Sequence, residues 1–309
     1  MSLTRTESGA RADVRPRGGL RVRRGLGLLG TYALLIGILV FAIFPFVWTF
    51  VISVTDSGSV TTGRTVYDFP ASLWPRHVTL DNFGNVLRTY PGLGRAFVNS
   101  VIISGLTVLG TLVVSSLAAY PLARYDFRGR DVVFGVILAT LVLPTETNFL
   151  VNMLTLARVR QWPVVGEYLG VGSYMAVVLP TLSTAFGIFL MRQAFLSVPG
   201  ALLEAARIDG ATEGQILRRV MLPLSVPSLA ALGIFTLVGT WNAYFWPSIA
   251  LTGEQDRFPL AVEMLKLKGA FNDNIFNTAA GAVLMMLPVL TLFVLAQRFF
   301  MRGLDGAVK

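Results

Sequence analysis

The chain has 309 residues, 54% of them hydrophobic and only 14% charged, with a mean hydropathy of +0.65. Soluble domains carry about 25% charged residues, so this balance argues against a soluble enzyme and a disordered chain alike. No cysteine is present and His77 is the single histidine, which removes thiol catalysis, disulfides and the N/S ligand sets that zinc prefers. What remains is an integral membrane protein.

The first 24 residues form a basic tail that ends in Arg17, Arg21, Arg23 and Arg24. An uncharged run of 31 residues, 25–55, follows. That is about twice the apolar region of a signal peptide, so it reads as an uncleaved anchor. Further uncharged runs cover 96–123, 168–191, 220–253 and 274–297, and 132–157 is interrupted only by Glu146. A helix needs about 20 apolar residues to cross a bilayer core. The chain therefore predicts an all-α protein with six transmembrane helices, at about 27–52, 97–120, 132–156, 171–191, 225–250 and 275–297. These lie in a membrane domain spanning residues 25–300, followed by a short tail, 301–309. Between the first two crossings, segment 56–95 holds Pro70, Pro75 and Pro91 and a short amphipathic piece at Thr79–Leu87.

The net charge of +9 raises nucleic acid as a partner, and its distribution answers that. With six crossings both termini share one side. That side, formed by residues 1–24, 124–131, 192–219 and 298–309, holds 17 of the 26 Lys and Arg residues and 8 of the 17 acidic ones. The opposite side holds 9 of each, so the whole surplus lies with the termini. Lys and Arg accumulate in cytoplasmic loops, which predicts cytoplasmic N- and C-termini, a plasma (inner) membrane location, and no nucleic-acid partner.

One cytoplasmic loop, 192–223, is more than a connection. Pro199 and Gly200 open a helix-forming stretch, Ala201–Ile208. Gly210 can end it at positive φ. Thr212 and Gln215 fit a capping box for a second helix, 213–222, which Pro223 closes. Taken alone, this pattern fits an ordinary connection with helical propensity or a stiff projection that docks into a partner.

Within that loop Glu204-Ala205-Ala206 is followed after three residues by Gly210, after nine more by Val220, and then by Leu222-Pro223. This resembles the EAA loop of ATP-binding-cassette importer permeases, EAA-x3-G-x9-I-x-LP, with Val220 the one departure; Asp209-Gly210-Ala211 also matches the family's DGA. The likeness extends over the chain beyond residue 24 and is strongest to the carbohydrate-uptake branch. It runs through residues 99–121, Pro144 and Glu146, EYLGVGSYMAVVLP at 167–180 and AFGIFLMRQAF at 185–195. Trp241-Asn242 and Trp246-Pro247 resemble the branch's WN-x-x-x-WP, with Ala243 where relatives often carry an acid. The ending RGLDGAVK resembles its GLTxGAVKG tail, shortened, as in the smaller permease subunit of maltose-type transporters.

The resemblance implies the type I importer permease fold and a heterodimer with a second homologous permease. It also implies an ATPase dimer and an extracytoplasmic solute-binding protein. No GxxxxGK[ST] occurs, so no cofactor is expected in this chain; ATP and Mg would sit on the separate ATPase. It further implies that Glu204, Ala205, Ala206, Arg207, Asp209, Gly210, Leu222 and Pro223 couple to that ATPase. Glu204 would supply a charged contact, Ala205 and Ala206 close approach, and Gly210 the turn. Gly303 and Leu304 in the tail would touch the ATPase too, while segments 56–95 and 251–273 would meet the binding protein. The expected cargo is a sugar or sugar derivative, a disaccharide, oligosaccharide or glycerol phosphate.

The residues themselves suggest a candidate substrate path. Glu146 is the one charge within a predicted crossing, a costly placement that marks functional candidates; alternatively, Pro144 breaks the helix and Glu146 bonds the freed backbone. Asn148 and Asn152, four apart, share a helix face and could line a polar path or join two helices. Trp241, Asn242 and Tyr244 offer aromatic faces and an amide, whereas Trp246 fits an interfacial belt. The rival from another class is an ion-coupled secondary carrier, which should show inverted repeats and several buried acids; neither is evident.

Overall fold

The computed structural model describes residues 18–56, 73–75, 77–143, 148–270 and 274–305, and every regular element among them is helical. The elements in chain order begin with α1 (Gly18–Ser53), α2 (Asp81–Thr89), α3 (Leu93–Arg124) and α4 (Arg130–Ala139). Next come α5 (Phe149–Arg160), α6 (Val165–Leu169), α7 (Tyr174–Val178) and α8 (Ala185–Leu196). The coupling segment follows as α9 (Gly200–Ile208), α10 (Glu213–Ile216), a π-helical turn (Leu217–Met221) and α11 (Leu222–Leu224). The chain closes with α12 (Val226–Trp241), α13 (Phe245–Ala250), α14 (Leu260–Ala270) and α15 (Ile275–Asp305). The amphipathic piece predicted at Thr79–Leu87 is α2, two residues further on.

α3 stands at the centre. Ser100, Ser104, Thr107, Thr111 and Ser115 recur every three or four residues and are all buried, while Leu109, Val113 and Leu117 face outward. Small hydroxyl residues let helix backbones approach closely, as in membrane bundles. The contact with α8 uses this directly: a Cβ on Gly187 would lie 2.4 Å from Ser115 Oγ and 2.7 Å from Thr184 Oγ1. α1 is the opposite case. It turns Trp48 and Ile52 onto Phe276 and Ala279 of α15 and leaves most of its apolar surface bare, with Phe41 83% exposed. Contiguous apolar exposure on this scale exceeds what soluble monomers carry and suits a lipid environment.

Among the described residues, two helices are by themselves long and apolar enough to cross a membrane, Gly30–Ser53 and Leu93–Arg124. Three of the other predicted crossings are not single straight helices. Helix α4 tightens into a 3-10 turn at Thr140–Val142, and Leu143 is extended at φ −78°, ψ 126°, the conformation that a following proline imposes. The helix resumes at Phe149. The fourth breaks between α7 and α8, whose halves, Tyr174–Thr181 and Ala185–Leu196, are bent by 52°; Thr184 restarts it by accepting from the Gly187 N–H. The fifth ends its first part at Trp241 and begins again at Phe245. A bend of 79° also separates Glu213–Leu224 from α12. The sixth is one element, α15, whose stretch Ile275–Thr291 is apolar.

Candidate functional site

The segment between α8 and α12 folds as its local sequence dictates. Pro199 leads into α9, and Gly210 takes φ +80° just beyond its end. The Ala211 N–H reaches back to Ala206 O and the Gly210 N–H to Arg207 O, both at 3.0 Å. This pair of bonds is the Schellman closure, which needs a residue free to adopt the left-handed region. Two residues later the capping box is complete: Gln215 N–H donates to Thr212 Oγ1, and Thr212 N–H to Gln215 Oε1 at 2.9 Å. Both ends of the turn thus satisfy their own backbone groups, so the projection is ordered without outside help.

Its inner side is anchored to the bundle. Leu203, Ile216 and Met221 are buried with Ala119, Tyr120 and Ala123 of α3, Met191 and Phe195 of α8, and Leu232 of α12. Ala206, Val220 and Leu222 pack against that cluster too. Of the sequence-derived coupling residues, Ala206 and Leu222 therefore serve the interior, whereas Glu204, Ala205, Arg207, Asp209, Gly210 and Pro223 are exposed. Ile208, which sequence reasoning passed over, is 87% exposed beside them.

Polar contacts tie the same block together. Tyr120 Oη donates to Glu213 Oε2 at 2.5 Å, and Arg207 Nε donates to Glu213 Oε1 at 3.1 Å. The Tyr120 hydroxyl first, and Arg207 second among the favourable contacts, hold the Glu213 carboxyl below the usual carboxylate range, with desolvation opposing them. Arg124 donates to the carbonyls of Phe195 and Val198, and Arg192 Nε to Leu122 O at 3.1 Å. Sequence reasoning missed Glu213, because an acid in a first helical turn reads as a complement to the helix dipole.

The candidate path residues scatter. Glu146 lies outside the described residues. Asn148 is exposed at the start of α5, and Asn152 is half-buried one turn on. Trp241 is 2% exposed, its ring edge-on to Phe97 and its Nε1 donating to Met285 O at 3.2 Å; it is a packing residue with no free face. Asn242 and Tyr244 are exposed at the break between α12 and α13, with Asn242 Nδ2 donating to Val238 O at 2.9 Å. An edge-on contact of Phe149 with Phe245, centroids 5.7 Å apart, brings that break beside the start of α5. Trp246 donates to Val177 O at 3.2 Å. Gly303 and Leu304 fall in the last turn of α15, and residues 306–309 lie outside the described residues. Among the described residues no cluster of metal-ligating side chains occurs.

Residues 111–306 match the family described as binding-protein-dependent transport system inner membrane component. The chain belongs to this family. As an inner-membrane component of such a system it is a permease of an ATP-binding-cassette importer, which removes the secondary-carrier alternative. The permease is 36% identical over 236 residues to the arabinooligosaccharides transport system permease protein AraQ of Halalkalibacterium halodurans, covering 76% of this chain and 81% of that one. It is 33% identical over 292 residues to the sn-glycerol-3-phosphate transport system permease protein UgpE of Pectobacterium atrosepticum, covering 93% and 99%. Among solved structures it resembles a chain of a bacterial ABC transporter involved in the import of the acidic polysaccharide alginate. That match has a TM-score of 0.72 and 28% identity, and covers 91% of this chain and 98% of that one.

Proposed function

We propose that this permease forms half of the translocation path for a sugar or sugar derivative and takes its driving force from a separate ATPase through residues 199–224. The observation that carries this reading is the doubly capped projection: its inner face is fixed to α3, α8 and α12, while Glu204, Ala205, Ile208 and Asp209 face outward. A lever must be stiff and anchored, and this one is both. ATP and Mg belong to the partner ATPase dimer, a second permease completes the path, and an extracytoplasmic binding protein delivers the cargo. In this reading the membrane-spanning bundle has six crossings, three of them broken, and the charge asymmetry supports cytoplasmic termini. The polyhydroxylated or phosphorylated cargoes named for the relatives support the substrate class. Asn148, Asn152, Asn242 and Tyr244 supply accessible amides and a phenol for such a cargo.

Affinity purification of the permease from its native membrane tests the assembly. An ATPase, a second permease and a binding protein are expected to co-elute; isolation of the chain alone would overturn the reading. In vesicles containing the full assembly, Glu204→Ala and Gly210→Pro are expected to abolish uptake while the protein remains inserted.

A further inference from the structure

α3 touches both ends of the machine. With 32 residues it is about 48 Å long at 1.5 Å per residue, against about 30 Å for a bilayer core, long enough to reach past the membrane on both sides. At one end Tyr120 holds Glu213 of the coupling segment at 2.5 Å, and Ala119, Tyr120 and Ala123 lie in the cluster that seats α9 and α10. At the other end Asn99 Nδ2 donates to Asp256 O at 2.8 Å and to Phe258 O at 3.0 Å, while its Oδ1 accepts from Tyr174 Oη at 2.7 Å. Next to it Ser100 Oγ accepts the Leu260 N–H at 2.7 Å, and Arg95 pairs with Asp256. The outer segment 251–260 is therefore held to α3 by buried Asn99 and Ser100. The predicted third, fourth and fifth crossings are each interrupted. α3 has no interruption, its one proline, Pro121, falling in the final turn.

We propose that α3 is a through-membrane strut that moves outer segment 251–260 together with the 199–224 projection, with Tyr120 and Glu213 as positioning residues at one end and Asn99 at the other. The proposal rests on the ATPase-coupling reading above. Nucleotide-driven displacement of the projection drags Tyr120 through Glu213 and the surrounding apolar cluster. A stiff helix carries that displacement outward, and Asn99 passes it to the backbone of Asp256 and Phe258. The face that meets the binding protein is thereby reset in step with the ATPase.

The chain has no cysteine, so spin labels on introduced thiols report on it cleanly in an assembly whose partners are made cysteine-free. An outer pair, Phe50→Cys with Gln255→Cys, reads segment 251–260 against α1; an inner pair, Leu28→Cys with Arg218→Cys, reads the projection against the same helix. Distances are measured by pulsed electron resonance in the intact importer, without nucleotide and trapped with ATP and vanadate. Both pairs are expected to shift on trapping. Tyr120→Phe, Glu213→Ala and Asn99→Ala are expected to leave the inner shift in place and to reduce the outer one. Glu213→Gln, which keeps an oxygen for the Tyr120 hydroxyl, is expected to retain it. An outer shift undiminished in the Tyr120→Phe, Asn99→Ala double variant would overturn the strut. An inner pair that does not respond to ATP and vanadate would overturn instead the coupling reading beneath it.

Discussion

Gly210→Ala isolates backbone strain at the coupling turn. A Cβ built at Gly210 meets nothing within 4 Å, so the substitution introduces no collision. The residue sits at φ +80°, where an L side chain costs about 1–2 kcal/mol. The less flexible unfolded chain offsets roughly 0.4–1 kcal/mol of that. The net destabilisation is about 1 kcal/mol, which is about fivefold in a local opening equilibrium. The amides that report it are those of Gly210 and Ala211, whose bonds to Arg207 O and Ala206 O close the turn. Native-state hydrogen exchange on the purified permease is expected to show these two amides exchanging several times faster in Gly210→Ala, with the amides of α3 unchanged. Gly210→Asn is expected to fall between the two, since Asn tolerates the left-handed region. Exchange in Gly210→Ala indistinguishable from the parent, or Asn as damaging as Ala, would refute the strain account.

Gly187→Leu forces a side chain into the contact that Ser115 and Thr184 already fill; destabilisation of at least about 1–3 kcal/mol is expected, read as a lower melting temperature in detergent. Trp241→Phe removes the bond to Met285 O and is expected to lower stability by about 1–3 kcal/mol while leaving the KM for transported cargo unchanged, as befits a buried residue. The depressed Glu213 carboxyl stabilises the coupling turn only while ionised. Its contribution is therefore fully present above the unfolded carboxyl's pKa of about 4.3 and is lost as pH falls through the lower folded value. Exchange protection of residues 199–224, corrected for intrinsic rates, should fall in that acid window, and Glu213→Gln should remove the fall. Ile208→Asp places a charge where an apolar side chain stands 87% exposed; burial of an isoleucine supplies about 1.5–3 kcal/mol, so ATPase affinity is expected to drop at least tenfold in titrations of the solubilised permease.

Much of this molecule is written in short stretches of chain. The uncharged runs, the amphipathic α2, the Schellman turn at Gly210 and the capping box at Thr212 each depend on residues within a few positions of one another. Hydrophobic periodicity and end-capping act over that range, so they are legible in the sequence itself. The EAA spacing identified the same loop because its residue types serve a local shape. What the tertiary structure alone decided involves groups far apart in the chain. Glu213 meets Tyr120 across 93 positions, and Asn99 meets Asp256 across 157; both pairings exist only because helices fix the relative heights of the two elements. The same holds for Trp241, whose aromatic face looked available for a sugar until Phe97 and α15 closed over it. Straight crossings were a natural expectation from composition, because hydropathy counts apolar residues and is blind to direction. Where α7 turns into α8 and α12 into α13, packing and the backbone limits of proline set the path.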